Sequence, residues 1–277
     1  MIETKSMSSW SEYLEEIRCL ARSYADRHWP PLFRGHANCK WSLKTTLERY
    51  YEDEKIPSDP SFLSYYKRAS RSPKSAVETL IGKRWDKFPD YGQVEIGLQK
   101  NSIGWLDYGL LHEPEVYEFF IYLRHHGYPS PLLDWTASPY VAAFLAFNSV
   151  NREETPVSVA VYAFVPPTSG FGIFKSDLQV IPVGPHGRSH ARHFSQQCWY
   201  TWCVEKQPGD YLIRPHDEVI TEAAEPDGKV VKFTIPVAER LVALKELDLM
   251  NVNAFSLYGS EDALVSTVAR RKLLFKR

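Results

Sequence analysis

Apolar positions recur at helical spacing over 9–24, where Trp10, Tyr13, Leu14, Ile17, Leu20 and Ala21 share a face behind the cap candidates Ser8 and Ser9. This pattern predicts an opening helix within 1–30. His28-Trp29-Pro30-Pro31 stops it, and Leu32-Phe33-Arg34-Gly35 reads as a short strand with Arg34 at its end. Pro57, Pro60, Pro73 and Pro89 cut the polar, aromatic stretch that runs to 101 into short helices, a helical insertion over 50–111. Over 113–124, Val116, Phe119, Phe120 and Leu123 line one helical face, and His125-His126-Gly127 follows with a glycine where a left-handed cap belongs. Leu132-Leu133-Asp134-Trp135-Thr136 then leads into Ser138-Pro139, a cap and a first-turn proline, ahead of an apolar helix over 140–148.

Strict alternation over 157–165 predicts a strand ended by Pro166-Pro167. The aromatic-rich stretch 192–204 contains a further core strand. Glu225-Pro226-Asp227-Gly228 is a turn signature between Val219-Ile220 and a strand over 229–235. Residues 237–250 are amphipathic, and 260–274 reads as a helix capped by Ser260, within a helical tail over 233–277. No regular strand-helix alternation of a doubly wound sheet is present. The expected fold class is α+β: one domain over 1–277 with a central, mostly antiparallel sheet and flanking helices.

Composition narrows the function classes. The 277 residues carry 33 Lys+Arg against 34 Asp+Glu, a net charge of −1, and are 44% hydrophobic. Such a chain packs a core, and no global field draws it to nucleic acid or to an anionic membrane. Cys19, Cys39, Cys198 and Cys203 form no CxxC pair and read as free thiols of a reducing compartment, the cytoplasm. The first twenty residues lack the apolar core of a signal peptide, and no run approaches the ~20 apolar residues of a membrane span, so no membrane partner is expected.

Polar residues in apolar surroundings mark the candidate chemistry. Arg34 on an apolar strand needs an anionic partner, and two are open: Asp134, in an ion pair that ties two strands, or an anionic ligand group in a cleft shared with His125 and Thr136. His186, His190 and His193 lie at separations of four and three with Cys198 beyond, but Pro185 and Gly187 favour a loop, and no metal is expected. Cys198 among aromatics reads as an inert buried thiol. Arg188, Arg192 and His193 beside Trp199, Tyr200 and Trp202 mix cations and rings as a nucleotide surface does, although a solvated loop before a core strand explains them too. The sequence holds no GxGxxG, GxxxxGK[ST], HExxH or GxSxG motif.

Leu32-Phe33-Arg34-Gly35-His36, Trp41-Ser42-Leu43 and Leu47-Glu48-Arg49 resemble the opening of the FRG-domain family, named for its Phe-Arg-Gly triplet. The segment from His125 through Gly127, Pro129 and Leu132-Leu133-Asp134-Trp135-Thr136 is similar to that family's central motif, and Arg192 to Gln197 to its late Arg-x-x-x-Gln-Gln stretch. Departures are Arg124 for the usual Gln, Ser130 for Thr, Pro131 for Arg and Cys198 for Gly. The order of motifs also resembles ADP-ribosyltransferases, which implies a split sheet of that kind and NAD as a substrate. On that resemblance Arg34, His125 and Gln196 are the catalytic candidates, with Gln196 where a glutamate usually stands. Arg34, Gly35, Asp134, Trp135, Thr136 and Arg192 are the residues expected to hold NAD or another nucleotide. The implied activity is ADP-ribosyl transfer to a protein or nucleic-acid acceptor, or NAD hydrolysis, in a toxin or phage-defence setting. The competing expectation is a non-catalytic nucleotide- or nucleic-acid-binding module.

Overall fold

The structure is a computed structural model that describes residues 2–100, 110, 113–150, 156–167, 170, 172–175, 177–185, 191–222 and 228–276. Among these, nine strands form one sheet. In chain order they are β1 (Ile2–Ser6), β2 (Leu32–His36), β3 (Leu133–Thr136), β4 (Ser158–Val165), β5 (Ile173–Lys175), β6 (Leu178–Val183), β7 (Cys198–Gln207), β8 (Asp210–Ile213) and β9 (Lys229–Pro236). Their spatial order is β1-β9-β4-β2-β3-β7-β6-β5, with β8 beside the far half of β7. Every pairing is antiparallel except β1 with β9. The expected antiparallel α+β architecture is therefore observed, with one qualification. The sheet is continuous, and it narrows to the single registered pair Phe33 and Thr136 where β2 meets β3.

Alternation along the strands sorts the core into layers. On β4, Val159, Val161 and Ala163 face one side, joining Phe33 and Phe233 beneath α1 (Trp10–Ser23), α7 (Pro139–Asn148) and α10 (Arg240–Leu249). Ala160, Tyr162 and Phe164 face the other, with Leu32, Leu133, Trp135 and Trp199. Along β7, Tyr200, Trp202 and Val204 meet Phe62, Tyr65, Phe119 and Phe120 of α3 (Phe62–Ser70) and α6 (Pro114–His125). Two helical layers thus cover the same sheet face side by side, and the β2–β3 joint lies between them.

Several expectations shift. The chain opens with strand β1, and the helix occupies only α1 of the 1–30 segment. Residues 233–236 finish β9, so the helical tail starts at the 3-10 turn Val237–Glu239. The described part of 50–111 comprises the end of α2 (Thr46–Asp53), then α3, α4 (Ser72–Ile81) and α5 (Tyr91–Gln99). It is built into the domain: Ser61 bridges to Leu212 of β8, and α3 fills the core against Trp202. The 192–204 stretch begins as a helical turn, α8 (Ala191–Ser195), before β7. Residues 225–227 of the expected turn lie outside the described residues. Among the described residues no helix is long and apolar enough to cross a membrane.

Candidate functional site

Arg34 sits in the middle of β2 rather than at its end, because the strand continues to His36. With Leu32 and His36 it belongs to one face of the sheet, whereas Phe33 and Gly35 face α7. A Cβ at Gly35 would meet the Ala142 carbonyl oxygen at 1.9 Å and Ala146 N at 2.8 Å, so only glycine lets α7 lie this close to β2. The residues of β3 alternate likewise. Leu133 and Trp135 pack into the core, where the Trp135 indole donates to the buried Thr201 hydroxyl at 2.8 Å, and Asp134 and Thr136 face the opposite side beside Tyr200 and Cys198 of β7.

Beyond the Phe33–Thr136 pair the two strands part, and Arg34 crosses the gap. Its Nη1 donates to the Asp134 carbonyl at 2.7 Å and stands 3.8 Å from the Asp134 carboxylate, and its Nε donates to His36 Nε2 at 3.0 Å. Burial pulls the Arg34 guanidinium down to about 10, with Asp134 opposing the shift and Arg124 and Arg49 adding to it, so the group stays cationic near neutrality. Burial and the Arg34 charge take His36 down to about 3, which keeps it a neutral acceptor that orients the guanidinium. The carboxylate itself is gripped by Arg124 in a short ion pair from the last turn of α6. Asp134 Oδ1 has no hydrogen-bond partner among the described residues. Arg34 therefore contacts Asp134, as the ion-pair alternative expects, and it also borders a cleft.

His125 closes α6, where a cation suits the helix dipole, and its Nε2 lies 2.9 Å from the Tyr200 hydroxyl. The same hydroxyl lies 3.4 Å from His193 Nδ1, and His193 Nε2 lies 2.9 Å from the Pro185 carbonyl. A carbonyl only accepts, so His193 Nε2 carries the proton, its Nδ1 accepts from Tyr200, and Tyr200 accepts from His125 Nε2. Burial lowers the His193 pKa, in keeping with a neutral ring, and raises that of Tyr200 well above its ordinary value. Of the three histidines read for metal spacing, His186 and His190 lie outside the described residues, and His193 serves this relay.

The remaining candidates close the cleft. The Thr136 hydroxyl donates to the Gln196 carbonyl at 2.6 Å and accepts from Ser138 N at 3.1 Å, tying β3 to the turn before β7. The Gln196 amide donates to the Leu257 carbonyl at 3.1 Å, so its NH2 group is engaged within the protein and its Oε1 remains near Cys198 Sγ at 3.9 Å. Arg192 lies over the Tyr258 ring at 5.5 Å. Burial pushes the Cys198 thiol up to about 12, as expected of an inert thiol.

Arg34, Gly35, His125, Asp134, Trp135, Thr136, Arg192 and Gln196, drawn from three distant stretches of chain, all line one cavity of about 260 Å3. His36 and Tyr200 stand in the motifs read from the sequence but not among its candidate site residues, and Arg124 registers only as a departure from a motif. The His36 signal was present as the fifth residue of the strand; those of Arg124 and Tyr200 depend on which elements meet.

These features define an α+β protein with a cationic cleft where two central strands part. Residues 30–155 match the family model described as FRG domain, so this segment of the chain is similar to that family. The match includes Arg34 and the Asp134 to Thr136 strand and ends before Arg192 and Gln196. Comparison with curated proteins and with solved structures gives no match.

Proposed function

We propose that this chain takes NAD, or a closely related nucleotide, at the β2–β3 cleft and acts as an ADP-ribosyltransferase-like enzyme. It would break the bond between nicotinamide and ribose and pass ADP-ribose to a macromolecular acceptor or to water. The observation that carries this reading is the convergence of the eight candidates on one cleft around a buried guanidinium with two oriented hydrogen bonds. Arg34 and Arg192 supply charge for phosphate, in the planar form suited to its oxygens. Asp134 is the carboxylate that lines this cavity among the described residues, and departure of nicotinamide builds positive charge that a nearby anion stabilises. His125 lines the same cavity and is the candidate base for an acceptor hydroxyl. The four cysteines are unpaired, in keeping with a reducing compartment such as the cytoplasm.

A second reading, a binding module without catalysis, has its own support. The Asp134 charge is shared by Arg124 and Arg34, which leaves little anion for an oxocarbenium-like centre. Incubation with NAD, with and without cell lysate, separates the two when free nicotinamide is followed by chromatography and NAD binding by calorimetry. Release by the wild type and its loss in Arg34→Ala is the expected result. NAD binding without release assigns the module, and neither release nor binding removes both readings.

A further inference from the structure

Past Gly35 the unpaired edge of β2 borders a larger cavity of about 680 Å3, which shares Arg34, Gly35 and Leu145 with the cleft. Its outer wall is the loop over 37–44 and one side of α2. Three backbone groups pin that loop: Cys39 N–H donates to the Ser158 carbonyl at 2.9 Å, Leu43 N–H donates to the Asp217 carboxylate at 2.8 Å, and the Trp41 carbonyl accepts from the Tyr162 hydroxyl at 3.0 Å. On this anchored loop the Trp41 side chain is nevertheless 45% exposed at the cavity wall. A large ring left in water on a loop whose backbone is anchored offers a flat face to a second ring at little further cost in ordering the loop.

The charges beside that ring are unbalanced. Arg34, Lys40, Lys44 and Arg49 face Glu52 and Asp53. Lys44 is paired with Glu52 at 2.6 Å, and Arg34 is committed to His36 and Asp134. Neither Lys40 nor Arg49 has a carboxylate within ion-pair distance among the described residues; Arg49 donates instead to the Lys44 carbonyl at 3.3 Å. Lys40 and Arg49 against the single remaining carboxylate Asp53, with an exposed ring on an anchored loop, therefore line a cavity whose volume is within the usual range for small-molecule sites, roughly 300–1,000 Å3.

We propose that this cavity, which adjoins the cleft at Arg34, Gly35 and Leu145, is a binding site for a 5′-phosphorylated nucleoside, the base stacked on Trp41 and the phosphate between Lys40 and Arg49. The site requires no bond to break, and it stands or falls apart from NAD consumption. A stacked base and a paired phosphate each contribute, so the intact mononucleotide binds better than either half.

Calorimetric titration with AMP, adenosine and inorganic phosphate tests it, on the wild type, Trp41→Ala, Trp41→Phe and the double variant Lys40→Ala/Arg49→Ala. All three altered side chains are exposed, and circular dichroism checks that each variant folds. AMP affinity is expected to fall about tenfold or more in Trp41→Ala and in the double variant, and to persist in Trp41→Phe. Adenosine and phosphate alone are expected to bind at least about tenfold more weakly than AMP. Absence of AMP binding to the wild type, unchanged affinity in either disruptive variant, or phosphate binding as tight as AMP overturns the proposal. Nicotinamide release is scored independently, so its absence beside intact AMP binding counts against the NAD reading alone.

Discussion

At Gly35 one missing carbon sets the distance between α7 and β2. The obstacle to a side chain there is the backbone of Ala142 and Ala146, which has no rotamer with which to yield. Gly35→Ala is therefore expected to cost about 3 kcal/mol, the upper part of the overpacking range, and to lower the melting temperature measured by circular dichroism. This residue was legible from its setting in an apolar strand. Arg34 was legible as a residue in need of an anion. Its actual partners were not: the hydrogen bonds run to a main-chain carbonyl and to His36, and the Asp134 carboxylate goes first to Arg124, ten residues before it in sequence. Such a triangle follows from where α6 ends relative to β3, which no local pattern encodes. Gln196 shows the same limit, since its amide answers to Leu257 on a helix it meets only in the fold.

Among the elements, α2 forms the wall common to the larger cavity and the core. It starts with a full capping box, in which the Thr45 hydroxyl accepts from Glu48 N at 3.2 Å and the Glu48 carboxylate accepts from Thr45 N at 2.8 Å. Thr45→Ala is expected to cost about 1 kcal/mol, read as a lower denaturant midpoint at unchanged slope. Elements with strong periodicity or caps were legible: α1, α6, α7, β4 and β9 lie where their apolar spacing and their Ser, Pro and Gly markers put them. Short elements were not. β1, β5 and β8 have five residues or fewer, and α8 and α11 (Ala254–Tyr258) have five, too few to display a period. They exist because neighbours complete them, as β9 does for β1.

For the whole molecule, three buried histidines set the response to acid. Burial lowers His193, and takes His36 and His216 down to about 3 from an ordinary 6.5. The unfolded chain binds these protons first, so their contribution is complete above pH 6.5 and is lost as the pH falls from there toward 3. Glu48 and Asp217, raised mainly by burial, act in the opposite direction near their own titration and offset part of the loss. The melting temperature is expected to fall steadily below pH 6.5, with a shallower slope in His216→Gln; a slope unchanged by that substitution contradicts the assignment. The sheet adds one consequence of its own. Its two wings are fastened across the middle by a single rung, Phe33 to Thr136, so the width of the opening between β2 and β3 follows the twist of the wings rather than the rotamers of the side chains that line it. Discrimination between ligands by size is then distributed over the curvature of nine strands, and a substitution at a distant sheet edge can retune it without touching the ligand.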